Sequence, residues 1–81
     1  DRNMAKANIK DDSAIDSVYC YPGCFDVERG MRVNVRKTHR IGARSQPGIV
    51  IGFTSDYYAI VKRDVEHGRA AKITFDKLDR A

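Results

Sequence analysis

Six cations, Arg29, Arg32, Arg36, Lys37, Arg40 and Arg44, fall within residues 29–44 with no acidic side chain among them. Guanidinium groups present a fork of donors that suits phosphate oxygens, and a basic loop can follow a phosphate backbone. Arg32, Arg36, Lys37, Arg40 and Arg44 are therefore the candidate contacts to nucleic acid or a nucleoprotein. A solvated loop that keeps the chain soluble accounts for the same run about equally well, because no aromatic lies inside it to stack on bases. Tyr57 is the candidate platform outside the loop. Tyr57 and Tyr58 are adjacent and cannot both face a core, so Tyr57 points outward if Tyr58 packs with Ile60.

Other chemistry is weaker. Cys20 and Cys24 stand four apart around Pro22 and Gly23, a spacing that a short disulfide could close in an oxidising compartment. Two small thiols tucked into the interior are the preferred expectation in a reducing one. A zinc site would need both histidines, His39 and His67, which are neither paired nor at finger spacing, so no metal is expected. There is no Gly-x-Ser-x-Gly turn and no glycine-rich phosphate loop. The carboxylates are scattered among cations, and His67 in a polar turn reads as exposed. No independent catalytic site is visible.

These residues must be held by one small domain, since 81 residues allow a single modest core. At 42% hydrophobic and 32% charged the composition is that of a soluble globular chain, and the net charge of +4 favours anionic partners. No apolar run approaches the length of a membrane span and no apolar signal core opens the sequence, so a cytoplasmic protein is expected.

The central stretch, residues 48–63, reads as two strands and a tight turn at Thr54, Ser55 and Asp56: Ile49, Ile51 and Phe53 alternate with Val50 and Gly52, then Tyr58 and Ile60 with Ala59 and Val61. Before it, Met31, Val33 and Val35 alternate with Arg32, Asn34 and Arg36 in a strand with a cationic open face. Residues 37–47 lack a period, hold Gly42 and Pro47, and form the joining loop. After a polar turn at residues 64–69, Ala71, Ile73 and Phe75 mark a fourth strand, and residues 76–80 a closing helical turn with Leu78 at the end of the fold. Residues 18–25 gather aromatics around a Pro-Gly turn against the core, and residues 26–30 make a polar bend. Residues 1–17, with Met4, Ala5, Ala7, Ile9, Ala14 and Ile15 thinly scattered, form an arm that is mobile or docked.

The expected architecture is all-β: a small SH3-like antiparallel barrel of four to five strands over residues 18–81, with an N-terminal arm over residues 1–17. Over residues 30–63 the pattern resembles the KOW type of ribosomal and transcription-elongation proteins, with Gly30-Met31-Arg32-Val33 opening a strand and Pro47-Gly48-Ile49-Val50 entering the next. Over residues 18–80 the layout resembles the plasmid-borne type II dihydrofolate reductases through Tyr21-Pro22, Gly30-Met31-Arg32-Val33, Gly48-Ile49-Val50-Ile51-Gly52-Phe53, Tyr58-Ala59-Ile60, Glu66-His67-Gly68 and Leu78-Asp79-Arg80. That resemblance implies a tetramer whose pore binds NADPH and dihydrofolate through a Val-Gln-Ile-Tyr strand. The matching positions here are Ala71-Lys72-Ile73-Thr74, where only the isoleucine persists.

Three functions are therefore expected. The first is a non-enzymatic module that engages nucleic acid or a nucleoprotein through its basic loop. The second is a diverged NADPH-dependent reductase relying on Lys72, Ile73 and Thr74. The third is an adaptor or structural subunit. For the last two, the apolar second face of the 48–63 hairpin, made of Val50, Ala59 and Val61, offers a surface for the arm or for a second copy.

Overall fold

Alternating apolar residues, many of them Val and Ile, line the strands of this chain. The computed structural model describes residues 9–21, 23–65 and 68–81, so the outer part of the arm (Met4, Ala5 and Ala7), Pro22, Glu66 and His67 lie outside the described residues. Among the described residues seven strands follow in order: β1 (Ser17–Cys20), β2 (Phe25–Glu28), β3 (Arg32–Arg36), β4 (Ser45–Phe53), β5 (Ala59–Arg63), β6 (Ala70–Ile73) and β7 (Leu78–Arg80), with a 3-10 turn (Phe75–Lys77) before the last. All pairings are antiparallel. The fold is all-β, a five-stranded sheet in the order β6-β5-β4-β3-β7 and a two-stranded hairpin, β1-β2.

Among the described residues the two sheets are not joined by strand pairing, and β6 and β7 are the edges of the larger one. The hairpin instead closes the core by side-chain contact. Cys20, Phe25 and Val27 from the hairpin pack with Val33, Val35, Val50, Phe53, Ala59, Val61 and Leu78 from the sheet. Complete burial of each aliphatic chain contributes roughly 1.5–3 kcal/mol, so this contact is the main source of stability. Arg80 lies over the Phe25 ring, 5.6 Å from its centre, at the margin of the same core.

Residues 26–30 are not a simple bend: Asp26, Val27 and Glu28 belong to β2, and the turn falls at residues 28–31, with the Met31 amide donating to the Glu28 carbonyl and Gly30 at φ +82°. The closing helical turn is also shorter than expected. It ends at Lys77, and Leu78, Asp79 and Arg80 form a strand that returns to pair with β3, Leu78 opposite Val35.

The second face of the central hairpin proves to be the core face. Val50, Ala59 and Val61 are fully buried within the chain's own interior, where β1-β2 covers them. They present no surface to a second copy, and Ile15 of the arm packs against the same core. Strict alternation also fails at one residue. Val50 pairs with Val61 and Gly52 with Ile60, leaving Ile51 as an unpaired bulge, half exposed. One extra residue turns the strand over. Phe53 therefore points inward with Val50.

Candidate functional site

The nine residues of β4 separate two connections that differ in chemistry. At its start lies the basic loop, residues 37–44. At its end lies the turn of residues 54–58, against which the inner part of the arm is docked.

The basic loop is ordered by its own backbone and by one side chain from below. Its base is closed by the Lys37 amide donating to the Arg44 carbonyl (2.9 Å), and the Thr38 hydroxyl accepts from the Arg40 amide (3.2 Å). The Ala43 amide donates to the Arg40 carbonyl (3.1 Å) across a turn in which Gly42 has φ +87°, a conformation that glycine adopts without strain. β4 begins at Ser45, two residues before Pro47, so the loop is shorter than the unpatterned stretch suggested.

Arg36 does not belong to the exposed set. Its side chain is 2% exposed, and its guanidinium donates to the His39 carbonyl (3.0 Å) and the Asp76 carbonyl (2.5 Å). Its Nε lies 3.1 Å from Asp79 Oδ2, close enough for an ion pair but without hydrogen-bond alignment. Arg36 thus ties the foot of the loop to the 3-10 turn and β7. His39 Nδ1 adds a second tie, 2.7 Å from Asp76 Oδ2. The Thr74 hydroxyl beside Asp76, and then His39, hold that carboxyl below its ordinary value.

Lys37, Arg40 and Arg44 remain exposed, and among the described residues none of them makes an ion pair. Together with Ile41 and Ala43 they line a hollow of about 350 Å³ inside the loop. Arg32 lies apart from them, on the outer face of β3, where its guanidinium meets Asp64 at 2.5 Å. Both partners are substantially exposed, so that pair adds little to stability.

The opposite end is stitched throughout. Thr54 is buried; its hydroxyl accepts from the Tyr58 amide (3.0 Å) and donates to Asp56 Oδ1 (2.5 Å). The Asp12 amide donates to the Phe53 carbonyl (2.7 Å), the Phe53 amide to Asp11 Oδ1 (3.0 Å), and the Ser55 hydroxyl to Asp12 Oδ2 (2.8 Å). Arg29, the first cation of the run, serves this end: it donates to Asp11 Oδ2 (2.8 Å) and to the carbonyls of Asp12 and Ile15 (each 2.9 Å), while lying 5.6 Å from the Phe53 ring centre. The Arg29 guanidinium, and then the Phe53 amide, hold the Asp11 carboxyl below its ordinary value. Gly52 leaves room for that carboxylate, since a Cβ there would collide with it. Thr54, and then Lys72, lower Asp56 in the same way.

Tyr57 points outward as its alternation implied, 64% exposed and at φ +63°. It belongs to the stitched end, however. Nine residues of strand place it roughly 30 Å from the basic loop, so the two do not line one groove. Lys72 sits 4.4 Å from the Tyr58 ring centre and 3.0 Å from Asp56 Oδ2, Ile73 packs against the core, and Thr74 leads into the 3-10 turn. Lys72 and Ile73 thus have structural engagements, while the Thr74 hydroxyl is buried without a hydrogen-bond partner among the described residues.

The cysteines divide. Cys20 is buried, donates to the Phe75 carbonyl (3.0 Å), and has its thiol pushed up by burial, whereas Cys24 is exposed, and both are free. Only one of the two thiols is therefore interior. Tyr19, exposed, has its phenol pushed up by the neighbouring Cys24 thiol. Among the described residues no group of His, Cys, Asp and Glu could hold a metal ion, and no helix is long and apolar enough to cross a membrane. Compared with protein-family models, curated proteins and solved structures, the chain has no significant match.

Proposed function

We propose that this chain is a non-enzymatic binding module of SH3-like type that engages nucleic acid, free or within a nucleoprotein, through Lys37, Arg40 and Arg44. The scaffold reading is supported by five strands joined by one long loop, one tight turn and a terminal 3-10 turn. The binding reading rests on one observation: three neighbouring cations project from an ordered loop without ion-pair partners among the described residues, while Arg36 beneath them is consumed in holding that loop in place. A loop positioned before the ligand arrives loses less conformational entropy on binding.

Three phosphate contacts on duplex give a log-log salt slope of about −2.7, or an affinity loss of roughly 40-fold between 50 and 200 mM salt. Fluorescence anisotropy with a labelled duplex measures it. Replacing Lys37, Arg40 and Arg44 by Ala should flatten the slope nearly to zero. Binding that keeps its strength and slope in the triple variant rules out this surface.

A further inference from the structure

The loop that carries the free cations also carries Ile41, which at 78% exposure is the most exposed large hydrophobic side chain among the described residues. A lone exposed isoleucine is ordinary. This one stands at the apex of a hydrogen-bonded turn, residues 40–43, whose third residue, Gly42, has φ +87° while no positive φ occurs at Ile41. That combination is a type II turn, its ends joined by a hydrogen bond. A Cβ on Gly42 would meet nothing within 4 Å, so the glycine serves the turn's backbone and not the packing around it. Lys37 and Arg44 close the foot of the loop, Arg40 adjoins the apex, and Arg36 anchors the whole from below.

Resting on the phosphate-binding reading above, we propose that Ile41 is an apolar wedge that enters the minor groove of duplex DNA and partly unstacks one base step, with Lys37, Arg40 and Arg44 on the flanking phosphates. Two requirements favour DNA. A wedge needs one rigid apolar side chain with cations on either side, because the groove's negative potential draws the cations in and kinking repays the unstacking with extra backbone contact. Insertion into a lipid surface instead scales with buried apolar area, and a tip offering one isoleucine and one alanine beside three charges supplies little. Base stacking needs an aromatic, and the loop has none.

The test uses the whole chain and a 20-base-pair duplex with donor and acceptor dyes at its two ends, reading affinity by anisotropy and bending by energy transfer at 50 and 200 mM salt. Ile41→Ala and Ile41→Ser should bind about five- to tenfold more weakly and lose the bend while keeping the wild-type salt slope. Because Ile41 touches solvent, circular dichroism should show both variants folded. Unchanged affinity and bend in these variants, with the salt slope intact, overturn the wedge and leave the phosphate reading standing. Wild-type protein that does not bind the duplex at 50 mM salt overturns the wedge, and a triple Ala variant that binds as wild type overturns both. Binding to phosphatidylserine vesicles that Ile41→Ala abolishes, with no duplex binding, assigns the tip to a membrane and overturns the wedge as well.

Discussion

The two ends of β4 are built from similar raw material and put it to opposite uses. At the far end, Arg29 and Lys72 meet Asp11 and Asp56, the Thr54 and Ser55 hydroxyls are engaged, and the arm meets the Phe53 backbone twice, through the Asp12 amide and the Asp11 carboxylate. At the near end, one cation is buried to hold the loop and three are left to solvent. A charged residue that is fully paired stabilises the fold but has little left for a ligand. An unpaired one on a fixed backbone adds little to the fold and is ready for an anion. Local sequence does not separate the two cases, since Arg29 and Arg40 belong to the same run.

The largest expected effect tests whether Arg36 is structural. Arg36→Met removes a buried guanidinium and leaves the His39 and Asp76 carbonyls unpaired, and should lower stability by about 2–4 kcal/mol in urea unfolding. Phosphate binding should weaken only as far as the loop loosens. Loss of binding with unchanged stability would instead make Arg36 a direct contact. Gly52→Ala should act at the other end, displacing the Asp11 carboxylate and raising amide exchange at Phe53 and Asp12 several-fold by local opening. Duplex affinity should stay as in wild type.

Acid should then loosen the stitched end. Asp11 and Asp56 are held below the ordinary value of 3.8, so their contribution is fully present above that value and is lost as pH falls through their lower folded values. Melting temperature should decline from about pH 4 toward pH 2, and Asp11→Asn with Asp56→Asn should lessen that decline, the remainder coming from Asp76 at the loop end. The smallest effect is expected at Tyr57, where a non-glycine residue occupies φ +63°. Tyr57→Gly should raise stability by about 0.5–1 kcal/mol, the relief of left-handed strain outweighing the added chain entropy. Unchanged binding keeps the two ends independent, and weaker binding would join them.

Strands β3 to β6 were legible because alternation survives wherever one face is buried, although Phe75, read as the end of the fourth strand, lies in the 3-10 turn that follows it; Tyr57 was placed outward by the same logic. The rest was hidden for separate reasons. A single bulged residue, Ile51, reverses the phase of β4 without any change in composition, so Phe53 was assigned to the face opposite Val50. The β1-β2 hairpin has only four residues a side, too few for a period, and its register depends on a turn containing Cys24 at φ +59°, which a cysteine does not advertise. β7 is shorter still and exists through its pairing with β3. Arg36 was read as a surface contact because charge usually means exposure, yet two backbone carbonyls distant in sequence from each other converge on it. The exposed cations of the loop were visible as part of a run, and what the letters could not supply was the backbone that separates Arg29, Arg32 and Arg36 from Lys37, Arg40 and Arg44.

The meeting of Asp11 with Gly52 sets where a self-sufficient fragment can start. A chain cut just before β1 would keep every strand yet leave the amide and carbonyl of Phe53 facing water and the guanidinium of Arg29 without its carboxylate. Residues 11–16 have no regular conformation of their own, but they complete the sheet's far rim much as a keystone completes an arch.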